Sequence, residues 1–152
     1  MNYLDANFAA ALHFNISGQT AVAEKLVRKT SLPFVFSALA ELECRRAFIL
    51  LAGHPQSENW LRLISKVDSG EWIGFPMVWD RAAEKSAELM DKFGANLRAG
   101  ALDNLHVALA LVSGCSWFLS FDTNSNARIL AASARLKVYP ELSPAERGRT
   151  IR

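Results

Sequence analysis

With 152 residues, 51% of them hydrophobic and 21% charged, the chain fits one globular domain that can bury a core without disulfide or metal staples. Its formal net charge of +2 is too small to choose a partner; it permits nucleic acid without demanding it, because phosphate contacts need a local basic patch rather than a basic total. The two cysteines, Cys44 and Cys115, are far apart and form no CxxC pair, which argues against a zinc site and against a secreted disulfide scaffold.

The opening Met1-Asn2-Tyr3-Leu4-Asp5 has no basic region and meets an acid at once, so it does not read as a signal peptide. Asn2 to Leu4 is expected as a first strand, followed by a helix from about Ala6 to Phe14, broken by Ser17-Gly18. A second helix is expected over Thr20–Lys29, and Leu32 to Phe36 reads as a strand. Ser37 is a good N-cap for a helix running to about Leu51 and stopped by Gly53-His54-Pro55, with Leu39, Leu42, Arg46 and Ile49 marking its repeat. Trp60, Leu61 and Ile64 mark a helix over about Ser57 to Val67, and Glu71 to Phe75 is a strand candidate. Asp80 is expected to cap a helix that Gly94 stops near Phe93. Ala101 to Ser113 is a strongly apolar helix ended by Gly114. Trp117 to Phe121 reads as a strand, Asn124 to Ala134 as a helix and Leu136 to Tyr139 as an edge strand before Pro140.

Apolar runs such as Ala47–Ala52 and Val107–Val112 are too short to span a bilayer, so a soluble cytoplasmic protein is expected. Strands alternate with helices, which implies an α/β fold with a parallel sheet covered on both faces. The expected organisation is one domain over residues 1–140 with a polar, loose tail over 141–152.

In such a sheet, ligands gather beyond the carboxyl ends of the strands. Asp5 follows the first strand and Asp122 follows Trp117–Phe121, so both face one crevice if those strands are neighbours. Each also fits a helix N-cap. Asp103 opens a helix that is apolar on every face from Val107 onward. The helix dipole returns only about 0.3–1 kcal/mol to a carboxylate in the first turn, far less than burying an unpaired charge costs. A cation, a metal or an exposed crevice must offset it; an exposed helix start is the plain alternative. Glu41 misses the capping-box position, where Ala40 stands, and fits a surface pair with Arg45. Glu43 lies on a different face and reads as solvated. His106, one turn after Asp103, is either a general base or a satisfied core histidine. Arg45-Arg46 either touches phosphates or is a solvated helix face. There is no HExxH, no P-loop and no G-x-S-x-G. Scattered carboxylates with water suit Mg²⁺ or Mn²⁺ rather than zinc, and a pair of such ions suits in-line attack on a phosphodiester.

At these residues the sequence resembles the PIN-domain family, and within it the VapC-type toxins of toxin–antitoxin pairs. Tyr3-Leu4-Asp5-Ala6-Asn7 looks like that family's first strand with its first metal-binding aspartate. Phe36-Ser37-Ala38-Leu39-Ala40-Glu41-Leu42 looks like its segment carrying the glutamate. Ala101 to Ala108 is similar to its "DAIHLA" helix, and Leu119-Ser120-Phe121-Asp122 to its "TFD" strand end, with Ser120 in place of threonine. Ile129-Leu130-Ala131 matches its next helix. The matches come in the family's order and cover nearly the whole chain.

The resemblance implies helices around a parallel sheet of about five strands. It implies a Mg²⁺- or Mn²⁺-dependent endoribonuclease that forms a homodimer and is blocked by a cognate antitoxin. Carried over, Asp5, Glu41, Asp103 and Asp122 are the metal-site acids, with Asn7, Ser120 and Asn126 as supporting polar groups. Three other readings remain: a PIN nuclease of RNA processing without an antitoxin, a phosphotransfer α/β domain, and a non-catalytic RNA-binding module. The second lacks its marks, because Asp5-Ala6-Asn7 breaks the D-x-D of a haloacid-dehalogenase-type phosphatase.

Overall fold

A computed structural model describes residues Met1–Ile151. Five parallel strands form one sheet: β1 (Asn2–Leu4), β2 (Phe34–Ser37), β3 (Trp72–Phe75), β4 (Trp117–Leu119) and β5 (Lys137–Tyr139), in the order β3-β2-β1-β4-β5. Eight helices accompany it: α1 (Ala6–Ala11), α2 (Thr20–Lys29), α3 (Ala38–Ala52), α4 (Glu58–Asp68), α5 (Trp79–Leu97), α6 (Ala101–Val112), α7 (Ala127–Ser133) and α8 (Pro144–Gly148). The expected α/β class and five-strand parallel sheet are therefore what the chain forms.

Side chains alternate across each strand with a period of two. Tyr3, Val35 and Phe118 enter one core with α5, α6 and α7, while Leu4, Phe36 and Leu119 enter a second core with α1, α3 and α4. Strand order reverses at β1, which pairs with β2 on one side and β4 on the other. The carboxyl ends of β1 and β4 thus meet at a topological switch point, where α/β sheets hold their ligands.

Several local expectations differ from the structure. The helix after Asp5 ends at Ala11, and the Thr20 hydroxyl bonds the carbonyls of Phe14 and Ile16 to close the following turn. The inner stripe of α3 is Ala40, Cys44 and Phe48, whereas Leu42 is 69% exposed. Asp80 lies inside the first turn of α5 rather than capping it, and α5 runs through Gly94 to Leu97. The apolar face Leu89–Phe93–Leu97 continues across Gly94, and its packing outweighs the roughly 1 kcal/mol that glycine costs a helix interior. Within the segment expected as a tail, Pro144–Gly148 forms α8: Ser143 and Glu146 cap it reciprocally, and Glu146 pairs with buried Arg128 at 2.8 Å. Among the described residues no helix is long and apolar enough to cross a membrane.

Candidate metal centre

Asp5 is the anchor of the site. Its backbone N–H donates to Leu119 O across the β1–β4 seam at 3.0 Å, and Oδ1 caps α1 by accepting from Ala6 N at 2.7 Å. Oδ2 accepts from the Ser120 hydroxyl at 2.6 Å and from Asn7 Nδ2 at 2.9 Å. The cap and the crevice position are thus one arrangement. Asn7 also fixes the next loop, since its Oδ1 accepts from Phe121 N at 2.8 Å. Burial raises the Asp5 carboxyl above the usual carboxylate range, against the pull of His106 and of the Ser120 hydrogen bond.

His106 reaches Asp5 from α6 and Glu43 from α3. His106 Nε2 lies 2.8 Å from Glu43 Oε2, and one ligand atom from each of Asp5, Glu43 and His106 falls within 4.8 Å of the others. Burial pulls the imidazole down, but the Glu43 hydrogen bond and the charges of Asp5, Glu43 and Asp103 outweigh it and hold the ring above its ordinary value. Its other nitrogen, Nδ1, lies 2.9 Å from the Tyr3 hydroxyl. The cluster is capable of coordinating a divalent cation.

Asp103 and Asp122 line the same cleft, a space of about 700 Å³ bounded also by Asn7, Leu42, Arg46 and Leu102. Each has one oxygen engaged with backbone. Asp103 Oδ2 accepts from Gly100 N at 3.1 Å, and Asp122 Oδ1 accepts from Asn124 N at 2.9 Å and Ser125 N at 3.1 Å. Four carboxylates therefore face one cleft with Arg46 as the one arginine or lysine of its lining. Ionised carboxylates of Asp5 and Glu43, with oxygens within 4.8 Å of each other, would repel by roughly 3 kcal/mol or more at an effective dielectric constant near 20. A bound cation relieves that repulsion, and the oxygen-rich donor set suits a hard ion. The residues present fit a divalent cation.

The glutamate differs from the sequence expectation. Glu41 lies in the first turn of α3 and is not part of the cleft lining; Glu43 is. Two positions along an α-helix are about 200° apart, so the two acids cannot face the same way. Nor is Glu43 simply solvated, because it is the partner of buried His106. Ser120 and Asn7 stand beside Asp5 as expected supports, whereas Asn126 bonds to Leu97 O at 2.6 Å and to Arg149 at 2.8 Å, outside the cleft lining. Sequence reasoning missed Glu43 and Tyr3; the available signal was His106, a polar group on an apolar helix that requires partners once buried.

A doubly covered parallel sheet with an acidic cleft at its switch point defines the class: an α/β domain whose cleft residues are able to coordinate a divalent cation. The chain belongs to the PIN-domain family, whose model matches residues 3–130. Among solved structures it is similar to VapC20 of Mycobacterium tuberculosis, described as a sarcin-ricin-loop-cleaving toxin. The TM-score is 0.70 and the identity 16%, over 92% of this chain and 100% of that one. It is also similar to FitAcB from Neisseria gonorrhoeae, with a TM-score of 0.62 and 16% identity over 91% of this chain and 96% of that one. At such identities these likenesses bear on the fold alone. Comparison with curated protein sequences gives no match.

Proposed function

We propose that the protein is a Mg²⁺- or Mn²⁺-dependent endoribonuclease that acts as the toxin of a VapBC-type pair, forming a homodimer and held inactive by a cognate antitoxin. The observation that carries this reading is the convergence of Asp5, Glu43, Asp103 and Asp122 on one cleft of a PIN fold. The toxin assignment leans on the motif resemblance to VapC-type toxins, with which the fold likeness to VapC20 over 92% of this chain is consistent.

Asp5 and Glu43 would hold the cation, with Asp103 and Asp122 completing an oxygen-lined site. When bound, the ion supplies positive charge for the phosphodiester and makes water a stronger nucleophile. Ser120 and Asn7 keep Asp5 Oδ2 aimed into the cleft. Arg46 receives a non-bridging phosphate oxygen, since α3 carries it into the cleft lining. Its neighbour Arg45 is already committed: Nη1 donates to Pro55 O at 2.8 Å and the guanidinium lies 4.7 Å from the Trp60 ring centroid. Leu42 and Leu102, both exposed, add apolar surface to the lining beside the acids.

The test is cleavage of cellular RNAs by the pure protein. Expected are discrete cuts that EDTA stops and Mg²⁺ or Mn²⁺ restores, and that Asp5→Asn and Asp103→Asn each reduce at least about 100-fold without unfolding the protein. EDTA-resistant cutting, or full activity in either folded variant, would overturn the assignment. A small reading frame beside this one whose product suppresses cleavage separates a toxin from a stand-alone RNA-processing nuclease.

A further inference from the structure

Ser37, Tyr3, His106 and Glu43 form one line of polar contacts running from the floor of the sheet to the cleft. Tyr3 OH lies 2.7 Å from Ser37 Oγ and 2.9 Å from His106 Nδ1, and His106 Nε2 lies 2.8 Å from Glu43 Oε2. Tyr3 and Ser37 are fully buried, at 0% exposure, and His106 is 5% exposed. We propose that His106 is a positioning residue for Glu43: its Nε2–H donates to the Glu43 carboxylate, and the ring is not itself a ligand of the cation. This rests on the metal-site reading above.

Counting donors and acceptors fixes the direction. Ser37 Oγ caps α3 by accepting from Ala40 N at 3.2 Å, and its own proton has no acceptor but Tyr3 O among the described residues. If Ser37 donates to Tyr3, the phenol proton must go to His106 Nδ1. A neutral ring then carries its proton on Nε2, where the acceptor-only carboxylate of Glu43 takes it. Every polar atom of the line is satisfied, which burial demands. A ring that ligates through Nε2 must instead carry its proton on Nδ1. That proton turns the Tyr3 hydroxyl toward Ser37 and leaves the Ser37 proton with no acceptor in a dry interior, a costly defect. Should the ring take up a second proton, Nε2–H still faces Glu43, so the role does not depend on the charge of His106. The chemistry of the donors agrees: a hard cation prefers the carboxylate oxygens available in the cleft to an imidazole nitrogen. Tyr3 burial holds the phenol well above its ordinary value, so it remains a proton carrier in the chain throughout the neutral range.

The geometry also explains why the glutamate is two residues later than the sequence expectation. Ser37 caps α3, and Glu43 is the acid of that helix that meets the far end of the line starting at Ser37. Fixing Glu43 through a second group is the way metal sites hold ligands in register, and losing such a group commonly costs about 10- to 100-fold in metal affinity.

The experiment is ring-nitrogen NMR of His106 in ¹⁵N-histidine-labelled full-length protein, free and titrated with Mg²⁺, with calorimetry on the same samples. Expected is a proton on Nε2 in the free protein that stays there at saturating Mg²⁺. A bare Nε2 in the free protein, or loss of its proton as Mg²⁺ binds, would overturn the proposal. Absence of any Mg²⁺ binding counts against the nuclease reading, while the proton position in the free protein still decides this one. His106→Gln keeps an N–H for Glu43 and His106→Phe does not. Mg²⁺ affinity within about threefold of the parent in His106→Gln, with a loss of 10-fold or more in folded His106→Phe, supports positioning; equal losses in both overturn it. Tyr3→Phe takes the hydrogen bond from Nδ1 while Glu43 still holds the Nε2 proton, so the Nδ1 resonance is expected to shift toward that of an unpaired acceptor nitrogen; an unchanged Nδ1 resonance would remove Tyr3 from the chain.

Discussion

The Ser120 hydroxyl donates to Asp5 Oδ2 at 2.6 Å, so the end of β4 holds the carboxylate at the end of β1. Removing that donor leaves Asp5 aimed only by Asn7 on the same oxygen. Ser120→Ala is expected to weaken Mg²⁺ binding about 10-fold, as loss of a supporting group commonly does. It is also expected to push the Asp5 carboxyl further up, because the Ser120 bond acts downward on it. Calorimetric titration checks the affinity, and an unchanged value would show that Asn7 alone suffices.

Glu43→Gln and Glu41→Gln separate the two glutamates. Glu43 meets His106 and the cleft; Glu41 meets neither. The first substitution is expected to lower cleavage at least about 100-fold, a barrier increase near 3 kcal/mol, and the second to leave it within about twofold. Single-turnover rates on one RNA substrate measure both, and the reverse pattern would return the glutamate role to Glu41.

Arg46→Gln removes the one arginine among the cleft-lining residues. Expected are weaker RNA binding and a salt dependence of log K shallower by about one phosphate contact. Arg45→Gln should instead act on stability, through its Pro55 and Trp60 contacts. Binding to a fluorescent RNA across salt concentrations, with thermal melts, distinguishes them; an unaltered slope in Arg46→Gln would remove it from the phosphate path.

Glu146 ties α8 to Arg128, which is 3% exposed. Burial pushes the Glu146 carboxyl up, but the bonds from Arg128 and Ser143 outweigh it and hold it below the usual range. A carboxylate lowered on folding contributes stability that is complete above its unfolded value and lost as pH falls through its folded value. Glu146→Ala is therefore expected to destabilise by about 2–3 kcal/mol near neutrality and by less in acid. At this chain length that is a fall of roughly 5–10 °C in Tm, read by calorimetry at two pH values.

Much of this architecture was legible in the sequence. The order of strands and helices, the N-cap Ser37 and the stop at Gly53 follow from local chemistry, which acts within a few residues. Asp5 and Asp122 were legible because a strand end fixes which way a side chain leaves the sheet. The face of α3 was not. Ala40, Cys44 and Phe48 define its inner stripe, yet which flank of that stripe meets the cleft depends on how α3 sits against α6, a tertiary fact. The three- and four-residue spacing of Leu39, Leu42, Arg46 and Ile49 competed with the smaller and truer stripe, and motif similarity drew attention to Glu41. Gly94 misled for a related reason: local propensity favours a stop, while a buried face made of Leu89, Phe93 and Leu97 does not.

Arg128 joins two regions that the chain separates. Its guanidinium donates to Ser120 O at the end of β4 and to Pro140 O at 3.0 Å and Glu141 O at 3.3 Å, besides pairing with Glu146. The residue it grips just past β4, Ser120, is the one whose hydroxyl holds Asp5. A ligand, tag or partner that peels α8 from the body therefore pulls on the same bracket that aims the first carboxylate. Helix α8 is in this sense a tether on Asp5, acting through Arg128 and Ser120.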